Sequence, residues 1–111
     1  MPYDQRLAAR IRELVGDEPG LTEQRMFGGL ALLVGGNLAV SASGHGGLMV
    51  RVDPGEAGML VNSTPARVIN MRGRPMPGWL YLEAADVDTP DGLAAWIRRG
   101  VSFARSLPTK R

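Results

Sequence analysis

Leu30-Ala31-Leu32-Leu33-Val34-Gly35-Gly36-Asn37-Leu38-Ala39-Val40-Ser41-Ala42 is the stretch that decides the fold. Two short apolar runs flank Gly-Gly-Asn, residue types that accept the positive φ angles of a tight hairpin. Runs this short between turn residues read as strands rather than helices. The next segment repeats the arrangement: Ser43-Gly44-His45-Gly46-Gly47 is a second turn and Leu48-Met49-Val50-Arg51-Val52 a third strand. Strands joined by such short turns form an antiparallel meander. Upstream, Arg25-Met26-Phe27 leads through Gly28-Gly29 into the first of these strands.

The flanks supply helices. Asp4 caps a helix over residues 4–15, in which Leu7, Ile11 and Leu14 share a face and Gly16 ends the run. Asp53-Pro54 opens a short helix to about Val61, with Glu56 placed as capping-box partner. Arg67-Val68-Ile69-Asn70-Met71 reads as a fourth strand and Trp79-Leu80-Tyr81-Leu82-Glu83 as a fifth, separated by the breaker-rich turn Arg72–Gly78. Thr89-Pro90-Asp91 begins a final helix with Leu93, Trp96, Ile97, Val101 and Ala104 on one face. The predicted order is α-β-β-β-α-β-β-α. It describes one α+β domain over residues 1–111, a two-layer sandwich of helices on an antiparallel sheet of about five strands. Trp79 and Trp96 are expected to share its core.

Composition narrows the chemistry. The chain has 111 residues, a net charge of +2, one histidine and no cysteine. That leaves no disulfide, no thiolate nucleophile, no cysteine-type zinc site and no His-His metal pair. No apolar run is long enough to span a bilayer, and the N-terminus lacks the pattern of a secretory signal. The expectations are a cytoplasmic protein with no membrane partner and no cofactor. Basic residues gather between Arg98 and Arg111, behind the acidic Glu83, Asp86, Asp88 and Asp91. Acid before a helix and base along its last turns is what the helix dipole favours.

Assembled in this order, the segments resemble the TfoX N-terminal domain family, named for a bacterial regulator of natural competence. The resemblance rests on Arg25-Met26-Phe27-Gly28-Gly29-Leu30, the Gly36-Asn37 hairpin and Val50-Arg51-Val52-Asp53-Pro54. It continues through Arg72-Gly73-Arg74-Pro75-Met76, Gly78-Trp79 and the closing helix. It covers essentially the whole chain, as a short, standalone member. The resemblance implies a secretion-chaperone-like α+β fold and a regulatory or protein-interaction role without catalysis.

Individual residues offer few reactive constellations. Ser41, Ser43 and His45 suggest a nucleophile and base, but no G-x-S-x-G elbow accompanies them and a glycine-flanked turn histidine is ordinarily inert. The paired glycines open no phosphate-binding loop; turns and close approaches explain them. Arginines are the stronger candidates. Arg25, Arg51, Arg72 and Arg74, with Trp79, are the expected partner-binding residues, while Met26, Phe27, Gly28, Gly29, Gly73 and Met76 form the structural motif. Arginine beside an aromatic anchors protein interfaces and also stacks on nucleic-acid bases. The expected partner is therefore an unidentified protein or a second copy of the chain. The alternative is weak nucleic-acid binding, which needs the four arginines on one face. A small-ligand site or enzyme is a third reading, and it requires a concave pocket bringing together His45, an arginine and a carboxylate.

Overall fold

The computed structural model describes residues 3–26 and 28–109, so Met1, Pro2, Phe27, Lys110 and Arg111 lie outside it. Three helices, α1 (Gln5–Val15), α2 (Pro54–Ser63) and α3 (Pro90–Ser106), accompany six strands. The strands are β1 (Leu21–Met26), β2 (Gly29–Val34), β3 (Asn37–Ala42), β4 (Leu48–Arg51), β5 (Arg67–Met71) and β6 (Arg74–Leu82). They form one antiparallel sheet in the order β1-β2-β3-β4-β6-β5. The helices cover one face, so the domain is the expected α+β sandwich.

The helices start where side chains can satisfy their free amides. Asp4 accepts hydrogen bonds from the backbone N–H of Arg6 and Leu7, and Thr89 accepts one from Gly92. Asp53 departs from expectation: its carboxylate accepts from Gly55, and no reciprocal capping box with Glu56 forms. A reciprocal cap does occur at the 3-10 turn Ala84–Val87, between Glu83 and Asp86.

Cross-strand register sorts the side chains into two faces. Leu32, Val40, Val50, Leu80 and Val68 form one lateral row, and Leu30, Ala42, Leu48 and Leu82 a second; both face the helices. Leu7, Ile11, Leu60, Leu93, Trp96 and Ile97 close over them as a single core. Beyond the Leu32–Val40 pair, toward the hairpin turn, Ala39 is the extra residue of a bulge opposite β2. It packs with Val34 and Ala104 under the end of α3. A Cβ on Gly100 would sit 2.4 Å from the Ala39 carbonyl oxygen, so α3 lies on β3 only because that residue is glycine.

Three expectations change. The sheet has a sixth strand, β1, which is polar and exposed on an edge, so hydrophobic patterning does not reveal it. The turn expected over Arg72–Gly78 is only Arg72-Gly73, both with positive φ, and the chain re-enters the sheet at Arg74. Pro75 and Pro77 are tolerated because β6 extends past β4 there and has β5 alone as neighbour. Trp79 is half-buried outside the core, which Trp96 joins without it.

Candidate functional site

The face away from the helices carries its own lateral row: Gln24, Ala31, Ser41, Met49, Tyr81 and Arg67, one residue from each strand, paired in unbroken register. Over the Ser41, Met49, Tyr81 and Arg67 part of this row lies a cleft of about 740 Å³ that touches both edge strands, at Met26 and along β5. Ser41 and Met49 form its floor, and Tyr81 carries the floor toward β5.

One end is polar. The Arg67 guanidinium lies 5.2 Å from the centre of the Tyr81 ring and forms a 2.7 Å ion pair with Glu83. Both charged side chains are more than half exposed, so the pair contributes about 0–1 kcal/mol and can exchange partners at little cost. The Tyr81 hydroxyl donates to the His45 carbonyl oxygen at 3.4 Å. Burial, reinforced by the nearby Glu83 charge, pushes its pKa upward, so Tyr81 is a neutral phenol at physiological pH. The remaining walls are largely apolar, with Ile69 and Met71 farther along β5 and Met26 on the opposite edge of the sheet. Methionine side chains adapt to varied shapes, a property of surfaces that bind more than one ligand form.

Glycine makes the polar end possible. A Cβ on Gly47 would lie 2.2 Å from the Leu82 carbonyl oxygen and 2.5 Å from the Tyr81 hydroxyl. On Gly29 it would lie 2.5 Å from the Ala42 carbonyl oxygen. Gly28, with φ of 76°, is exposed just before the strand.

Ser43 and His45 are adjacent but not arranged for nucleophilic chemistry. The Ser43 hydroxyl accepts a hydrogen bond from the His45 backbone N–H at 3.1 Å, a local turn contact rather than one with the imidazole. Among the described residues no carboxylate hydrogen-bonds to the imidazole, and no cluster of three or more His, Asp or Glu side chains could hold a metal ion.

The expected arginines occupy different places. Arg25 pairs with Leu30, so it belongs to the helix side of the β1 edge, where it is exposed. Arg51 pairs with Trp79, and its guanidinium carbon lies 4.8 Å from the Trp79 ring centre and 5.5 Å from that of Phe103 on α3. Arg72 and Arg74 are exposed at the tip of the β5–β6 hairpin with Gly73. Arg74 pairs with Met71, and Met76 with Ile69, both lining residues of the cleft. The structure thus brings Arg72 and Arg74 to the rim of the cleft, joins Arg51 to Trp79 elsewhere, and sets Arg25 on the opposite side of the sheet.

Arg67, Met49, Tyr81 and Glu83 were not marked as site residues by sequence. The usable signal was alternation: Leu48, Val50 and Val52 point inward, which leaves Met49 for the other face, and Leu80 and Leu82 do the same for Tyr81.

No described helix is long and apolar enough to cross a membrane. Neither a curated protein nor a solved structure matches the chain. The sequence pattern of the TfoX N-terminal domain does match, over residues 13–104, a span that runs from the last turn of α1 through nearly all of α3. By that match the chain belongs to the TfoX N-terminal domain family.

Proposed function

We propose that this domain is a non-enzymatic regulatory module that docks a protein partner in the cleft across the open face of its sheet. The observation that carries this reading is the cleft itself, which takes lining residues from all six strands and has Ser41, Met49 and Tyr81 as its floor. A rigid sheet presenting apolar anchors with a few convergent polar groups is suited to recognition. Catalysis is disfavoured because the hydroxyls and the imidazole are not joined in a proton-transfer geometry.

Nucleic-acid binding through Arg25, Arg51, Arg72 and Arg74 with Trp79 is less well supported, since Arg25 belongs to the other side of the sheet and Arg51 is engaged by two aromatic rings. A small-molecule ligand is the stronger second reading. His45, Arg67 and Glu83 line one cleft, and its volume suits a compact organic molecule.

The test is paired capture from the native cytoplasm with the wild-type chain and two cleft-filled variants, Met49→Trp and Asn70→Trp. Partners retained by wild type and lost by both variants support the reading. Partners captured equally by all three overturn it. Native mass spectrometry of the captured chain separates a bound small molecule from a bound protein.

A further inference from the structure

We propose that the cleft receives an extended peptide with an apolar centre and acidic ends, which joins the sheet as an added strand along the free edge of β5. This rests on the reading of the cleft as a partner-docking site.

The lining of the cleft identifies the docking edge. Side chains of a strand alternate between faces, so a cavity that met one face would touch every second residue. Arg67, Val68, Ile69, Asn70 and Met71 all border the cleft in succession. Val68 pairs with Leu80 and packs on the core, so what it offers the cleft is its backbone. The edge of β5 therefore faces the cavity. β5 pairs with β6 alone, and among the described residues no turn or loop bonds to its main chain. Its outward N–H and C=O groups are free to template a further strand. At roughly 3.3 Å per residue the edge is about 16 Å long, enough for a short peptide.

Charge selects the occupant. Arg67 stands at one end of β5, and Arg72 and Arg74 stand at the other. Among the described residues Arg72 and Arg74 make no ion pair. Glu83 is the one carboxylate among the lining residues, and it is already paired with Arg67. Between these basic ends lie Ile69 and Met71, with Met49 on the floor. The complement is acidic, apolar, acidic. A second copy of the chain fits poorly: antiparallel pairing through β5 would bring Arg67 of one chain to the Arg72-Gly73-Arg74 turn of the other. Like charges facing across strands are destabilising.

The probe is the capped peptide Glu-Glu-Val-Ile-Val-Glu-Glu, titrated into the isotope-labelled 111-residue chain and followed by amide NMR and hydrogen exchange. Its controls are the lysine counterpart and two versions N-methylated on alternate amides, one for each set of hydrogen bonds. The expected result is perturbation and slowed exchange across Arg67–Met71, with no binding by the lysine peptide. One N-methylated version should fail to bind. The double variant Arg72→Glu/Arg74→Glu, remote from the core, should weaken binding about tenfold or more, as expected for reversing two charges at an interface. No perturbation of β5 at millimolar peptide overturns the proposal. So does undiminished binding of both N-methylated peptides with shifts confined to Met49 and Tyr81, an outcome that leaves docking in the cleft standing but removes strand addition. Concentration-dependent dimerisation through β5, or tighter binding of a single-stranded oligonucleotide of matching charge, overturns it as well.

Discussion

Arg51 and Trp79 face each other directly across β4 and β6, with the guanidinium carbon 4.8 Å from the ring centre. Phe103 approaches the same guanidinium at 5.5 Å, so the end of β4 is tied to α3 by a cation between two rings. Neither Arg51 nor Trp79 is fully buried. Their coupling should therefore lie at about 0.5–1 kcal/mol, in the range of cation–π pairs at partly exposed sites. A double-mutant cycle of Arg51→Met and Trp79→Leu, read by urea unfolding, measures it. A coupling indistinguishable from zero would assign these residues to packing alone.

Glycine substitutions should separate close approach from mere flexibility. Gly47→Ala forces a Cβ against the Leu82 carbonyl and the Tyr81 hydroxyl. The expected loss is about 2–4 kcal/mol, because backbone on one side cannot yield. Gly58 is within α2 with no atom within 4 Å of its would-be Cβ. There alanine should stabilise the fold by up to about 1 kcal/mol through helix propensity. Thermal unfolding of the two variants side by side checks both signs.

These positions also mark what was legible in the sequence. The β2–β3 hairpin, both long helices and the capping aspartates are local features, written in residues a few positions apart. The strand β1 is not, because Thr22, Glu23, Gln24 and Arg25 are exposed on an edge and carry no apolar period. The cleft depends on β6 pairing with β4 while β5 takes the edge. That order places Tyr81 beside Met49 and Arg67 beside Tyr81. No spacing along the chain encodes those neighbours, which is why the sequence points to Arg25, Arg51, Arg72 and Arg74 and not to Arg67.

Two titrations should be visible in the pH dependence of stability. The hydrogen-bonded Arg12 guanidinium holds the Glu23 carboxyl below its ordinary range. A depressed carboxyl contributes stability that is present above its unfolded pKa and lost as pH falls through the folded value. Both side chains are more than a third exposed, so the loss on acidification should be under about 1 kcal/mol. Tyr81 runs the other way: its raised pKa contributes stability below the unfolded value near pH 10 that is lost as pH rises through the folded one. Glu23→Gln should remove part of the acid slope and Tyr81→Phe part of the alkaline slope. Unchanged slopes in urea unfolding would contradict these assignments.

The tip of the β5–β6 hairpin is built against local preference. Arg72 has φ of 54° and Gly73 78°, so both central turn residues are left-handed. Such a turn favours Asn-Gly, because asparagine tolerates this conformation and arginine does not. Arg72→Asn should therefore raise stability, by about 0.5–1 kcal/mol, the scale of relieving one unfavourable backbone conformation. The same change removes a cation from the rim of the cleft. If Arg72 is present for binding, the variant will be more stable and yet bind the acidic peptide more weakly, a trade expected where function is set against fold. Denaturation and peptide titration on the one variant read both quantities. A gain in stability with unaltered affinity would assign recognition to Arg67 and Arg74 and leave the strain at Arg72 without a functional reason.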